Sequence, residues 1–112
     1  EKGADGLIAV CTGAGGHAGT LSPFALVQEI REFFDGPLAL SGSIATGGAV
    51  AAALAMGADM GYIGSAFISC DEANAMEGYK DAIVKYGAED IVYSNLFTGV
   101  HGNYLKPSII AA

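Results

Sequence analysis

Basic residues are scarce in this chain. Only 5 lysines and arginines stand against 12 aspartates and glutamates, which gives a formal net charge of −7. A nucleic-acid partner requires a basic patch or stripe, so the composition argues against nucleic-acid binding. Charged residues of both signs make up 15% of the chain, below the share of about a quarter that is usual in soluble domains. We therefore expect other protein to cover much of its surface.

Cysteine and long apolar runs are scarce as well. Two cysteines, Cys11 and Cys70, do not make a disulfide framework, and they fit a reducing, cytoplasmic setting. The most apolar stretch, residues 44–68, contains Gly57 and Asp59, which argues against a membrane-spanning helix. The first residues lack the apolar core of a signal peptide, and no histidine or cysteine cluster has the spacing of a metal site.

Short apolar runs alternate with helical patterns along the chain. The runs predict strands at 7–10, 38–41 and 60–63, the first of them buried on both faces. Helical spacing predicts three helices: one from Ser22-Pro23 to Gly36, one over 48–56 between Thr46 and Gly57, and one capped by Asp71 that runs to Tyr86. Residues 13–21 are predicted to form a loop.

This alternation indicates parallel strands joined by right-handed crossovers, an α/β fold. A doubly wound sheet and a TIM barrel both fit the pattern. Three strands cannot close a barrel, so the remaining strands must lie upstream or in another chain. The chain opens as if just after a helix, and its other end carries no signal that ends an element. We therefore expect a piece of a longer protein.

Glycine-bearing loops follow all three predicted strands, at residues 11–19, 42–48 and 64–67. In both architectures, ligands bind beyond the carboxyl ends of the strands. Backbone amides of glycine loops can approach a phosphate closely, and the second loop also leads into a helix start, which favours an anion. Ser43, Thr46 and Ser65 add hydroxyl donors. The second and third loops together predict a phosphate clamp, with tight turns as the alternative explanation of their glycines.

The first loop permits two further interpretations. Its Gly13-x-Gly15-x-x-Ala18 spacing, with Asp35 downstream, matches a loose dinucleotide fingerprint. However, the following helix begins at Ser22 rather than at the glycines, and Asp35 ends a helix rather than a strand. His17 lies between glycines in this loop, where it could exchange a proton with a ligand or serve only as a structural hydrogen-bonding residue. His101 is interpreted as a structural or surface residue, and Cys11 as a small buried thiol, with a ligand-facing position as the alternative.

The motifs taken together resemble the nitronate monooxygenase family, formerly called 2-nitropropane dioxygenases. The resemblance covers most of residues 3–75 and rests on five segments: Gly3-Ala4-Asp5 before the first strand, Ala14-Gly15-Gly16-His17-x-Gly19, Ser41-Gly42-Ser43-Ile44-Ala45-Thr46-Gly47, Ala51-Ala52-Ala53-Leu54-x-Met56-Gly57-Ala58-Asp59 and Gly64-Ser65-x-Phe67. It implies a TIM barrel that binds FMN and uses molecular oxygen to oxidise an alkyl nitronate or nitroalkane. Residues 1–90 would be the last three βα units, and residues 91–112 the exit segment toward a smaller second domain.

The resemblance also implies roles for individual residues. It makes His17 the active-site histidine. It assigns Gly15, Gly16, Gly42, Ser43, Gly64 and Ser65 to the cofactor, the last four to its phosphate. The family usually has Gly-Gly at Gly42-Ser43 and Gly-Thr at Gly64-Ser65, changes that keep backbone and hydroxyl donors.

Other functions stay open at this point. Enoyl-ACP reductases and NAD(P)H:quinone reductases that use FMN look similar over this segment, and a non-catalytic barrel fragment that binds a phosphate ligand is the alternative of another class. The protein would need the rest of its barrel, and a homo-oligomer is compatible with the sequence.

Overall fold

The computed structural model describes residues 2–112, which divide into two compact units. The first consists of residues 2–14 and Ala18–Tyr62, and the second of Gly15–His17 and Ile63–Ala112. The strands are β1 (Leu7–Val10), β2 (Gly16–His17), β3 (Leu38–Ser41), β4 (Met60–Tyr62), β5 (Ile91–Ser94) and β6 (Gly102–Leu105). The α-helices are α1 (Pro23–Arg31), α2 (Gly47–Met56), α3 (Glu77–Lys85) and α4 (Lys106–Ala111). The predicted boundary between residues 90 and 91 stays a prediction.

The first unit is built on a parallel sheet in the order β1-β3-β4. Leu7 pairs with Leu38, and Ala39 pairs with Met60. Helices α1 and α2 follow β1 and β3 along the chain, so the predicted strand–helix alternation and the parallel pairing are confirmed. The core joins side chains of the strands and helices, namely Ala9, Cys11, Val27, Ile30, Leu38, Leu40, Ala53 and Ala58.

The helix caps of this unit follow local sequence. The Ser22 hydroxyl accepts a hydrogen bond from the Phe24 amide at 3.2 Å, and the Thr46 hydroxyl accepts one from the Ala49 amide at 3.2 Å. Gly57 ends α2 with a φ of 115°, a left-handed conformation that favours glycine. All three predicted caps are confirmed. The predicted end of α1 at Gly36 is wrong, because α1 stops at Arg31.

The early end of α1 has a physical reason. The Glu32 and Phe33 amides bind the carbonyls three residues back, those of Glu29 and Ile30, at 3.2 and 3.1 Å, so the chain tightens into a turn after Arg31. Phe33 is 75% exposed. Phe33 fits the helical spacing of the apolar residues before it, but it does not belong to a buried helix face. The sequence pattern therefore predicts a longer helix than the structure has.

One face of the parallel sheet is open within this unit. In β1, Ala9 is buried against the helices, whereas Ile8 and Val10 are 53% and 42% exposed. Met60 and Tyr62 of β4 are exposed too, at 48% and 53%. The prediction that β1 is buried on both faces is wrong here. Successive side chains of a strand point to opposite faces, and in the described residues of this unit the helices cover only one of them.

Arg31 ties the turn after α1 to the turn after α2. Its guanidinium donates to the carbonyls of Phe34, Gly36 and Gly57, at 3.0, 2.8 and 2.9 Å, and to the Asp59 carboxylate at 3.0 Å. Asp59 in turn accepts a hydrogen bond from the Leu38 amide at 2.8 Å. The Leu38 amide, followed by Arg31, lowers the pKa of Asp59.

The second unit contains an antiparallel sheet in the order β2-β6-β5. Strand β2 falls inside the segment predicted to be a loop, which corrects that prediction. A 3-10 helix at Ser65–Ser69 follows Gly64. Helix α3 begins at Glu77 after Met76, so the predicted cap at Asp71 is wrong. The Ala73 amide binds the Cys70 carbonyl in a turn, and the first helical bonds go to the Met76 carbonyl.

None of the helices in residues 2–112 is long and apolar enough to cross a membrane.

Candidate functional site

His17 is held by backbone pairing in the second unit. Strand β2 pairs with β6, so that Gly16 lies opposite Asn103 and His17 opposite Gly102. Gly16 has a φ of 67°, a conformation that glycine adopts without strain. A methyl group at Gly102 would lie 2.5 Å from the Gly16 carbonyl oxygen. Glycine at both positions therefore lets the two strands approach closely enough to fix the backbone of His17.

The side chain of His17 is hydrogen-bonded to Thr98. The distance between His17 Nε2 and Thr98 Oγ1 is 2.8 Å. The Thr98 hydroxyl also accepts from the Val100 amide and donates to the Val100 carbonyl, both at 3.3 Å. Sequence reasoning missed Thr98, because no local pattern connects a threonine with a histidine 81 positions away.

The second unit also brings Gly15 against Ser65. A methyl group on Gly15 would overlap the Ser65 hydroxyl oxygen, although it would lie 3.5 Å from Ser65 Cβ, an ordinary contact. Ser65 opens the 3-10 helix that follows Gly64. Apart from Gly64 and its two chain neighbours, no described residue has an atom within 4 Å of the place where a Gly64 Cβ would be. The backbone of Gly64 is therefore open to a ligand, with the Ser65 hydroxyl beside it in the sequence.

Gly42 and Ser43 belong to the first unit, and both have positive φ, at 137° and 57°. A methyl group on Gly42 would lie 2.7 Å from the Thr12 carbonyl oxygen, so the space for a side chain is closed. The Ser43 amide and hydroxyl both donate to the Gly13 carbonyl, at 3.2 and 3.3 Å. To donate to a phosphate instead, the Ser43 amide and hydroxyl would have to give up their hydrogen bonds to the Gly13 carbonyl.

The start of α2 offers further donors in the same loop. The amides of Gly47 and Gly48 occupy the first turn of the helix, where amides have no partner within the helix. Thr46 caps the Ala49 amide. Apart from the neighbouring backbone of the same helix, an added Cβ at Gly47 would meet no described atom within 4 Å, and one at Gly48 only the Thr46 hydroxyl at 3.8 Å. An open helix start of this kind suits a phosphate group. The first unit thus offers the amides of Gly47 and Gly48, and the second offers Gly64 and Ser65, as residues that fit the phosphate of FMN.

The remaining reactive side chains show no arrangement for catalysis. Burial raises the pKa of the Cys11 thiol, whose side chain is fully buried, in agreement with its structural interpretation. Cys11 and Cys70 are both free. His101 stacks on Tyr93 with ring centroids 4.9 Å apart. Over the described part of the chain, no group of three histidine, cysteine or carboxylate side chains is placed to hold a metal ion.

Comparison with known proteins identifies the family. The family described as Nitronate monooxygenase matches residues 1–110. The chain belongs to this family. The nitronate monooxygenase of Paraburkholderia phytofirmans is 32% identical over 106 residues, an alignment that covers 87% of this chain and 29% of that protein. The chain thus spans less than a third of the length of this family member.

Two solved structures share the fold. FabK from Thermotoga maritima is 33% identical with a TM-score of 0.81, covering 93% of this chain and 33% of that one. Nitroalkane oxidase from Streptomyces ansochromogenes is 34% identical with a TM-score of 0.82, covering 92% and 33%. These matches confirm the predicted fold class, an α/β chain that corresponds to part of the barrel of this family.

Proposed function

We propose that this chain is part of an FMN-dependent oxidoreductase that oxidises alkyl nitronates with molecular oxygen. The observation that carries the proposal is the family match over residues 1–110, which includes the loop with His17. The likeness to a nitroalkane oxidase supports the same class of substrate. The redox chemistry would come from FMN, which can take electrons from the substrate and return them to oxygen.

The phosphate of FMN would be held by backbone amides and hydroxyls. In the second unit, Gly64 and Ser65 are the proposed donors, with Gly15 leaving room for the Ser65 hydroxyl. In the first unit, the loop Gly42-Ser43 leads to the open amides of Gly47 and Gly48. Gly16 would contribute through the backbone conformation that places His17. These assignments rest on the family motifs and on the open backbone at Gly47 and Gly64.

His17 would act on the carbon next to the nitro group. For a neutral nitroalkane, its imidazole takes the carbon-bound proton, while the electron pair of the C–H bond moves into the nitro group to give the nitronate. A positioned base is worth roughly a hundred- to ten-thousand-fold in rate. For a nitronate already formed in solution this step is absent, and His17 contributes binding and charge stabilisation. His17→Asn should therefore impair turnover of the nitroalkane much more than turnover of the nitronate.

A second candidate function is reduction of an enoyl thioester or a quinone with NAD(P)H. It is retained because the fold matches FabK as closely as it matches nitroalkane oxidase, with TM-scores of 0.81 and 0.82. Steady-state assays of the full-length protein with a nitronate and oxygen, with NADH and a quinone, and with NADH and an enoyl thioester separate the two. Turnover only in the two assays that contain NADH, and none with the nitronate, would overturn the nitronate proposal. Bound flavin without any turnover would favour a non-catalytic binding protein.

Cofactor binding has a sharp test at Gly64. The φ of this glycine lies outside the left-handed region, and apart from its chain neighbours no described residue comes within 4 Å of an added Cβ. Gly64→Val should leave the fold intact but block backbone approach of the phosphate. The full-length variant should lose the flavin absorption band after desalting while keeping its unfolding midpoint. Gly78→Val is the matched control, since Gly78 also faces open space but lies in α3. Flavin retained at wild-type affinity by Gly64→Val would show that the phosphate lies elsewhere.

A further inference from the structure

The hydrogen bond between His17 and Thr98 determines which ring nitrogen of His17 is available for chemistry. Nε2 lies 2.8 Å from the Thr98 hydroxyl oxygen. Among residues 2–112, Nδ1 has no hydrogen-bond partner. A ligand that exchanges a proton with His17 in this conformation therefore meets Nδ1.

The Thr98 hydroxyl has three neighbours but one proton. It lies 2.8 Å from His17 Nε2 and 3.3 Å from both the amide nitrogen and the carbonyl oxygen of Val100. A hydroxyl donates once and accepts twice. The Val100 amide can only donate and the Val100 carbonyl can only accept, so these two roles are fixed. Only the role of His17 Nε2 depends on the tautomer.

The two neutral tautomers of His17 use this hydroxyl differently. With the proton on Nε2, Thr98 accepts from His17 and from the Val100 amide and donates to the Val100 carbonyl, so all three contacts are satisfied. With the proton on Nδ1, Thr98 must donate to Nε2, and the Val100 carbonyl loses its donor. The Thr98 network therefore favours the tautomer that carries its proton on Nε2 and leaves a lone pair on Nδ1.

We propose that Thr98 is a positioning residue that holds His17 in the Nε2–H tautomer, so that Nδ1 serves as the proton acceptor. When Nδ1 takes the proton from the substrate carbon, the imidazolium still donates from Nε2 to Thr98. No contact of the hydroxyl has to change during the transfer. The role of Nδ1 rests on the proposed function, whereas the tautomer assignment rests on the hydrogen bonds alone.

The structure provides well-matched variants. Thr98→Val removes the hydroxyl but keeps a β-branched side chain of similar shape, and Thr98→Ser restores the hydroxyl. Ser94→Ala is the control for the turn, because the Ser94 hydroxyl accepts from the Leu96 amide two residues ahead at 3.1 Å, as Thr98 accepts from Val100. Ser94 has no hydrogen bond to a histidine among the contacts of the described residues.

The test is nitrogen NMR of the full-length protein with its histidine rings isotopically labelled, in which the signals of His17 are those that disappear in His17→Asn. We expect a protonated Nε2 and an unprotonated Nδ1 in the wild type, in Thr98→Ser and in Ser94→Ala. Thr98→Val should show a mixture of both tautomers. A single Nε2–H tautomer in Thr98→Val, or an Nδ1–H tautomer in the wild type, would overturn the assignment.

Kinetics of the same variants separate this inference from the proposed function. Thr98→Val should lower kcat for a neutral nitroalkane roughly 3- to 10-fold, the effect of one ordinary hydrogen bond, with little change in KM or in nitronate turnover. Thr98→Ser should recover the rate. Equal losses in Thr98→Val and Ser94→Ala would reduce Thr98 to a turn residue. If the full-length protein turns over neither a nitronate nor a nitroalkane, the proposed function fails, and if His17→Asn turns over the nitroalkane normally, only the role of His17 as base fails. In both cases the NMR result still decides the role of Thr98.

Discussion

The contact between Gly15 and Ser65 predicts a coupled effect on flavin affinity. A methyl group at position 15 would overlap the Ser65 hydroxyl oxygen but would lie 3.5 Å from Ser65 Cβ. Gly15 is also outside the left-handed region, so its backbone accepts alanine. Gly15→Ala should therefore turn the hydroxyl away while leaving the rest of the unit in place.

The magnitude follows from the loss of one hydroxyl. A hydrogen bond to a charged group contributes about 1.5–3 kcal/mol, which corresponds to a weakening of flavin binding by roughly 10- to 150-fold. Ser65→Ala should cause the same loss. The double variant should bind flavin no more weakly than either single variant, since the methyl at position 15 then meets only a Cβ atom at an ordinary distance. The two substitutions should thus be strongly non-additive.

The assay is flavin titration of the full-length apoprotein, followed by fluorescence. Ser69→Ala is the control, because Ser69 lies in the same 3-10 helix and its hydroxyl donates to the Ala66 carbonyl at 3.0 Å. Losses that add in the double variant would show that Gly15 and Ser65 act independently. Wild-type affinity in Ser65→Ala would remove the hydroxyl from the phosphate site altogether.

Two further predictions concern stability and the placement of His17. Gly102→Ala should lower the free energy of unfolding by roughly 1–3 kcal/mol, because the added methyl would lie 2.5 Å from the Gly16 carbonyl oxygen. The urea midpoint and the rate of nitroalkane turnover should both fall. The control Gly78→Ala should change neither. Asp59→Asn should destabilise the protein at neutral pH. Because the Leu38 amide and Arg31 hold the pKa of Asp59 in the folded protein below its ordinary value, the difference in stability should be complete above that ordinary value and should disappear as the pH falls through the pKa of the folded protein. A pH-independent difference between wild type and Asp59→Asn in urea melts would contradict the charged role of Asp59.

Helix caps and parallel strands of the first unit were predictable because their signals are local. Ser22 and Thr46 cap helices through amides two and three residues ahead, and Gly57 adopts a conformation that glycine alone takes without strain. The segments Leu7–Val10 and Leu38–Leu40, which form most of β1 and β3, are continuous apolar runs. Such features depend on neighbours along the chain, so the sequence displays them directly.

The wrong predictions have a common cause: the structure at these positions is determined by residues outside the short stretch of sequence on which each prediction rests. Asp71 has the chemistry of a helix cap, yet the Ser65–Ser69 helix and the turn at Cys70 occupy the preceding chain, so α3 starts only after Met76. Strand β2 consists of two residues, too short for any periodicity. Both its pairing with β6 and the hydrogen bond of His17 to Thr98 join segments far apart in the chain, which no single-sequence pattern records.

The pairing of β2 with β6 also sets an order of assembly for the site. Strand β2 is synthesised before its partner, because Gly102-Asn103 follows it much later in the chain. Until then, the glycine-rich segment around His17 has no strand to pair with, and the cost of ordering it is not offset by backbone hydrogen bonds. The histidine can reach its final geometry only when β6 has paired with β2. A nascent or truncated chain that lacks β6 would therefore carry every proposed cofactor residue and still have no aligned base.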